Sequence, residues 1–287
     1  MENLSKFITQ KAALLRSAGI DQARVEIELI LCHLLEIDRL KLYLEGGRLL
    51  TDEIKKDFEI ILNKRLKRYP LQYILNEAWF FGRKFYVNEA VMVPTPETEL
   101  LCLLTFNFIK KQHLKRPRIL DIGTGSGVIA VTLAGEFDRV EIVAVDISEA
   151  ALEIARKNAA TLGGADRIDF RRSDFFEAVA EDEKFDLILS NPPYITDEDY
   201  KTLPPEVLAD PKIALVAGEK GLDAIEVILK QAPGYLRRDG RILFEIGYNQ
   251  SEWITALTKK DQRFESINIV RDLNNIDRVV ILSCGNK

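Results

Sequence analysis

Residues 190–196 read Ser-Asn-Pro-Pro-Tyr-Ile-Thr and follow directly on the run Phe185-Asp186-Leu187-Ile188-Leu189. Two consecutive prolines lock two φ angles and remove two backbone donors, and Pro192 also pushes Asn191 out of the helical region. The tetrapeptide Asn191-Pro192-Pro193-Tyr194 is therefore stiff before anything binds, and it presents acceptors in a fixed geometry. The chemistry open to such a set is the holding of a donor group. Asn and Pro are also ordinary loop punctuation, so taken alone the stretch reads equally as a turn that ends a strand.

A second stretch, Ile-Leu-Asp-Ile-Gly-Thr-Gly-Ser-Gly-Val-Ile-Ala at 119–130, combines a strand, an acidic residue, a glycine-rich turn and a helix start. Gly123, Gly125 and Gly127 permit positive φ and let a ligand approach the backbone, with Thr124 and Ser126 between them. A dinucleotide site calls for Gly-x-Gly-x-x-Gly with a pyrophosphate at the helix N-terminus. Here the spacing is Gly-x-Gly-x-Gly, and Asp121 just before the loop would repel phosphate but suit an ammonium. Asp146 ends the next strand, where a carboxylate accepts from ribose hydroxyls in either cofactor class. Asp174 and Phe175 end a third strand-like piece, placing a carboxylate for an adenine amino group and a ring to pack on the base; in isolation they read as loop and core filler. Three acidic strand ends around a glycine loop fit S-adenosylmethionine better than a nicotinamide dinucleotide.

These residues need a frame that brings strand ends together. From Pro117 onward strand-like and helix-like segments alternate: strands at 118–121, 141–145, 168–171, 185–190, 241–244, 266–270 and 278–282, with helices from Gly127, Ser148, after Gly221 and from Gln250. That alternation predicts an α/β, Rossmann-like, doubly wound sheet, whose ligands sit beyond the carboxyl ends of the strands. Up to residue 69 apolar residues recur at helical spacing: Ile8, Ala12 and Leu15, then Val25, Ile27, Leu29, Leu31, Leu34 and Leu35, then Ile54, Phe58, Ile61 and Leu62. They predict a small helical bundle with breaks at Gly19 and Gly46-Gly47 and a fresh start at Thr51-Asp52-Glu53. Residues 70–94, with Trp79, Phe80, Phe81, Gly82, Phe85 and Tyr86, read as a hairpin linker. Thr95 is the expected N-cap of the helix that follows, with Pro96 in its first turn and Glu97 and Glu99 against the positive end of its dipole. The expected domains are 1–69, 70–94 and 95–287.

Composition narrows the function classes. The 287 residues carry a formal charge of -5, which argues against a dedicated duplex-binding protein. Residues 1–70 hold 13 Lys and Arg against 11 Asp and Glu, so the N-terminal part is about +2 and the remainder about -7. Within it Lys64, Arg65, Lys67 and Arg68 form a basic cluster, read first as a solvated helix end and second as a docking patch. Cys32, Cys102 and Cys284 are too scattered for a disulfide framework, and His33 and His113 show no metal-ligand spacing, so neither zinc nor His-based hydrolysis is expected. No apolar run approaches the ~20 residues of a membrane span and the start lacks a signal peptide's apolar core. A cytoplasmic protein with no membrane partner is expected.

At this point the sequence resembles a known family. Asp-Ile-Gly-Thr-Gly-Ser-Gly, Ala-Val-Asp-Ile-Ser, Arg-Arg-Ser-Asp-Phe-Phe and Ser-Asn-Pro-Pro-Tyr-Ile, preceded by Val-Pro-Thr-Pro-Glu-Thr-Glu-Leu-Leu and followed by Gly-Arg-Ile-Leu-Phe-Glu-Ile-Gly-Tyr-Asn-Gln, are similar to the class I methyltransferases that modify the glutamine of the Gly-Gly-Gln motif in peptide chain release factors, the PrmC/HemK family. The likeness covers about residues 64–282, and the N-terminal helices in general character. It implies a seven-stranded methyltransferase sheet, S-adenosylmethionine as cofactor, a release factor as protein partner in translation termination and a helical domain that docks it; a monomer is expected, though no residue pattern fixes the oligomeric state. The physics agrees: a carboxamide nitrogen is a poor nucleophile, and acceptance of its two hydrogens by the Asn191 side-chain oxygen and the Pro192 carbonyl would pin it for methyl transfer. Tyr194 would stack on the flat amide. The family's Pro-Arg-Pro-x-Thr-Glu segment has Thr95 in place of its arginine here, and Asn76 stands where family members carry a glycine. Both departures lie on the substrate side, so a ribosomal-protein glutamine remains an alternative substrate, and an adenine amino group of nucleic acid a more distant one.

Overall fold

The N-terminal helices begin where a side-chain oxygen meets the first free amides. Asn3 accepts from the Lys6 amide, Asp38 from Lys41 and Thr51 from Ile54, opening α1 (Leu4–Ser17), α3 (Arg39–Leu44) and α4 (Asp52–Leu66). Between and after them lie α2 (Ala23–Leu35) and α5 (Leu71–Leu75). The computed structural model describes residues 3–285; residues 1, 2, 286 and 287, the outer ends of the expected first and last domains, lie outside it. The chain divides into two units, Met1–Asn76 with Pro204–Ala209, and Glu77–Leu203 with Asp210–Lys287.

In the first unit the helical periodicity becomes one apolar core. Ile8, Ala12, Leu15, Ile27, Leu31, Phe58 and Leu62 are buried, and Phe7 meets Phe58 edge-on at 4.8 Å between ring centres. Gly19, at φ +78, ends the first helix as its type suggests. Of the basic cluster, Lys64 and Lys67 are exposed as expected, while the two arginines depart from the solvated reading. Arg65 is buried and donates to Glu26 at 2.6 and 3.1 Å and to Glu206 at 2.7 Å, while Arg68 donates to Glu206 at 2.6 and 2.9 Å and to the Gly19 carbonyl at 2.9 Å. Glu206 arrives on α10 (Pro205–Leu208), far along the chain, so no local pattern announces the pairing.

The second unit starts with the hairpin β1 (Glu77–Phe80) and β2 (Arg83–Tyr86), turned at Phe81 and Gly82, both with positive φ. The expected linker thus splits: α5 stays with the first unit, and the hairpin joins the core of the second through Phe80 and Phe85. Helix α6 (Pro96–Lys111) follows. Thr95 occupies its N-cap position, but its hydroxyl bonds no backbone amide.

The main sheet has seven strands among the described residues: β3 (Arg118–Ile122), β4 (Glu141–Asp146), β5 (Ile168–Arg172), β6 (Phe185–Ser190), β7 (Leu236–Glu245), β8 (Phe264–Arg271) and β9 (Asp277–Cys284), in the order β5-β4-β3-β6-β7-β9-β8. The first five are mutually parallel and β9 runs antiparallel between β7 and β8. Alternation along the strands sends Ile119, Leu187 and Leu243 to one face and Leu120, Ile188 and Ile242 to the other, and both faces are buried. The helices α7 (Val128–Glu136), α8 (Glu149–Leu162), α12 (Asp223–Gln231) and α13 (Ser251–Lys260) connect the strands. The one-turn helices α9 (Asp197–Tyr200) and α11 (Lys212–Leu215), together with α10, fill the segment after Ile195. The order reverses between β3 and β6, which makes their carboxyl ends the switch point.

Removing one partner of a buried ion pair leaves the other charges unpaired, at a cost of about 3 kcal/mol. Arg65→Ala should therefore destabilise the helical unit by that amount in urea unfolding followed by hydrogen exchange in α4; a change under about 1 kcal/mol would show that the pairing adds nothing.

Candidate active site

The loop after β3 is held by backbone bonds before any ligand enters. The Gly123 and Thr124 amides donate to the Val145 carbonyl at 2.9 and 3.0 Å, and the Gly127 amide closes on the Thr124 carbonyl at 2.8 Å. Gly123 and Gly125 have φ of +71 and +55 with open space where a Cβ would stand, so both backbone strain and room for a ligand explain the residue type. Gly127 differs. At φ +80 a Cβ there would stand 3.0 Å from Ala155 Cβ, so this glycine serves the packing of α7 on α8 rather than a ligand.

The loop borders a cavity of about 380 Å³ whose wall includes Gly123, Thr124, Gly125, Ser126, Asp146, Asp174, Phe175, Asn191, Pro192 and Pro193. The half-buried Asp146 carboxylate accepts from the Gly125 amide through Oδ2 and from the Ser148 amide through Oδ1, both at 2.9 Å. The Ile147 amide also bears on this carboxylate, and burial pushes its pKa up. Asp174 is exposed at the rim. Phe175 holds φ +47, a conformation unusual for a bulky residue and characteristic of sites where surrounding structure fixes a side chain.

Asp121 lies elsewhere than expected. It is wholly buried behind the loop and off the cavity wall: Oδ2 accepts from the Thr124 hydroxyl at 2.7 Å, and Oδ1 has no hydrogen-bond partner among the described residues. Burial, reinforced by the neighbouring Asp146 charge, pushes its pKa up to about 7. Its influence on a ligand is electrostatic, through the loop, rather than a direct contact.

The Asn-Pro-Pro-Tyr stretch leaves β6 and is braced from three sides. Asn191 Nδ2 donates to Thr98 Oγ1 at 3.0 Å; Thr98 Oγ1 donates to Glu245 Oε2 at 2.8 Å; Tyr194 donates its hydroxyl to Glu245 Oε1 at 3.2 Å. Glu245 is buried at the end of β7, and desolvation pushes its pKa up to about 7 against the pull of Thr98, Arg278 and Tyr194. Burial and the adjacent carboxylate also raise the Tyr194 pKa, so its hydroxyl keeps its proton. The Gln250 side chain donates to the Tyr194 carbonyl at 3.2 Å and to Gly221 at 2.7 Å. Gly221, at φ +67, passes so close that a Cβ would stand 2.3 Å from the Tyr194 carbonyl oxygen.

Ten of the sequence-nominated residues thus share one cavity, while Asp121, Gly127 and Tyr194 stand behind its wall. Tyr194 is tied by its hydroxyl to Glu245 instead of lying open for stacking. Sequence reasoning missed Met92, Pro94 and Thr98 on the wall and Glu245 and Gln250 beneath it. The available signal was polar residues at a strand end and a helix start, Phe-Glu-Ile-Gly and Pro-Glu-Thr-Glu, within otherwise apolar elements.

Residues 102–218 match the family model of the methyltransferase small domain, and residues 7–75 match that of the PrmC N-terminal domain. The release factor glutamine methyltransferase of Cereibacter sphaeroides is 40% identical over 269 residues, spanning 93% of each chain. That of Bacillus cereus is 36% identical over 256 residues, 88% of this chain and 90% of its own. The chain belongs to the release factor glutamine methyltransferase family. Membership makes it a methyltransferase. The hMettl16 catalytic domain, solved in complex with MAT2A 3'UTR hairpin 6, shares the fold at a TM-score of 0.58 and 16% identity over 84% of this chain and 86% of its own; that likeness is one of fold alone. No helix among the described residues is long and apolar enough to cross a membrane.

The raised carboxyls set a pH signature. An exposed aspartate ionises near 3.8 and Asp121 near 7, so between these values the folded chain keeps a proton that the unfolded chain has released. Stability from this group is full below about 3.8 and is lost as pH rises towards 7; Glu245 adds the same trend from 4.5 upward. Asp121→Asn should therefore gain on the parent chain by about 4 kcal/mol between pH 4 and pH 8 in urea unfolding, and a stability difference independent of pH would contradict this.

Proposed function

We propose that this methyltransferase transfers a methyl group from S-adenosylmethionine to the side-chain amide nitrogen of the glutamine in the Gly-Gly-Gln motif of a peptide chain release factor. The observation that carries the reading is the fixed Asn191 carboxamide at the wall of the glycine-loop cavity, beside two prolines that cannot relax away. The names of the relatives support the release factor as substrate.

The residues present fit the cofactor. Asp146 offers a carboxylate on the cavity wall for ribose hydroxyls, Gly123 and Gly125 leave space for close approach, and Phe175 with Asp174 offers a ring and a carboxylate for the adenine. Once ionised, above about pH 7, buried Asp121 makes the loop electronegative from behind, which favours a cationic ligand over a phosphate. When bound, S-adenosylmethionine supplies an electrophilic methyl group on a sulfonium.

The work of the protein is positioning. An amide nitrogen delocalises its lone pair into its carbonyl, so the barrier falls only if the NH2 is held with its density aimed at the methyl, and orientation of this kind is worth on the order of 7–11 kcal/mol in favourable cases. Asn191 Oδ1 and the Pro192 carbonyl are the acceptors assigned to the two amide hydrogens. No strong base is needed, since the proton can leave after the methyl arrives. The N-terminal helical unit, matched by the PrmC N-terminal domain, is assigned the docking of the release factor.

Mass spectrometry of a release factor after incubation with this chain and S-adenosylmethionine should show one added methyl on the Gly-Gly-Gln glutamine. No gain with cofactor binding intact would overturn the substrate and turn attention to ribosomal proteins and then nucleic acids. Asn191→Ala should lower turnover by about 100-fold or more with a far smaller effect on cofactor affinity; equal losses would make Asn191 chiefly a cofactor residue. Gly125→Val should abolish cofactor binding in calorimetry, because the new side chain both strains the loop and fills the cavity, whereas unchanged affinity would refute the cradle.

A further inference from the structure

We infer that Thr98 is a positioning residue that decides which end of the Asn191 carboxamide faces the substrate, with Glu245 fixing the direction of its hydroxyl. The inference rests on the proposed reaction and adds a residue to it.

A threonine hydroxyl has one proton and two acceptor lone pairs. Above about pH 7, where it is ionised and can only accept, Glu245, buried at the end of β7, receives that proton at 2.8 Å and takes a second from Tyr194 at 3.2 Å. Thr98 Oγ1 has then spent its only proton and can only accept from its remaining neighbours. One is Asn191 Nδ2 at 3.0 Å; the other is the Thr95 hydroxyl in a longer contact of 3.4 Å. The Asn191 NH2 must therefore point at Thr98, which leaves Oδ1, the acceptor, as the other end of the amide. Among the described residues no further hydrogen bond is made by this side chain.

The two ends of a carboxamide have nearly the same shape, so packing alone would not choose between them. Flipped, Asn191 would present two donors to an incoming NH2 and repel it. The selecting group stands in the first turn of α6 and its anchor on β7, neither of them contiguous with the Asn-Pro-Pro-Tyr loop. Thr98 is 2% exposed, so water does not compete for the choice. Thr95, in the position where the family pattern has an arginine, contributes the last donor to the same oxygen.

The test compares Thr98→Val, which keeps the shape and deletes the hydroxyl, with Thr98→Ser, which restores it. With a release factor and S-adenosylmethionine, Thr98→Val should lower kcat by about 100-fold while the dissociation constant for S-adenosylhomocysteine moves little and the thermal midpoint falls because Glu245 loses a donor, and Thr98→Ser should recover most of both losses. Parent-like turnover in Thr98→Val, or equal losses in both variants, would overturn the inference. A readout independent of methylation uses the side-chain amide resonance of Asn191, assigned by its disappearance in Asn191→Asp. In the parent chain its protons should exchange with solvent far more slowly than those of exposed asparagines, and faster in Thr98→Val. Exchange at the exposed rate in the parent would refute the fixed orientation even if Thr98→Val fails to fold, and an absence of methylation by the parent would count against the proposed substrate alone.

Discussion

A carboxylate buried at the end of a parallel sheet must be neutralised or fully hydrogen-bonded, and Glu245 is the point from which the order of the site spreads. Its two oxygens take hydrogens from Tyr194 and Thr98, so one side chain on β7 ties down the last residue of the Asn-Pro-Pro-Tyr stretch and, through Thr98, the first. The prolines make the stretch between them rigid, and Gln250 holds the backbone at its far end. The loop is immobilised from both termini and from within. That suits a reaction in which the enzyme supplies orientation and no base.

The doubly wound topology makes this convergence possible. Reversal of strand order between β3 and β6 leaves a crevice that neither crossover covers, and the loops leaving those two strands are the glycine turn and the Asn-Pro-Pro-Tyr stretch. Parallel registration with β4 brings Asp146 level with the glycine turn, where its carboxylate bonds the Gly125 amide. Asp121, one residue inside β3, is off the crevice wall and acts only from behind the loop, as a buried carboxyl whose charge develops near pH 7. A shift of one position along a strand thus separates a residue that can touch a ligand from one that can only polarise its surroundings.

Much of this was legible in the sequence, for identifiable reasons. The inner parallel strands β3, β4 and β6 are buried on both faces and so read as short apolar runs, the edge strand β5 is marked only by its alternating Ile168 and Phe170, and the boundaries agree with the structure to within a residue for all four. The glycine turn and the double proline carry their conformation in their residue types. The segment 197–215 was silent, because three one-turn helices interrupted by prolines have no period to detect. Arg65 was misread because its partner Glu206 lies 141 residues away. Thr98 was hidden for a similar reason: its importance exists only where α6, β6 and β7 meet. Gly127 matched the loop pattern, yet its constraint is the Cβ of Ala155, a contact set by helix packing.

The most direct test of the account is a crystal structure of this chain with S-adenosylhomocysteine and a peptide carrying the Gly-Gly-Gln sequence. The account predicts the glutamine NH2 within hydrogen-bond distance, about 3 Å, of both Asn191 Oδ1 and the Pro192 carbonyl, with Asn191 Nδ2 still on Thr98. A glutamine amide seated elsewhere, or an Asn191 carboxamide turned the other way, would contradict it.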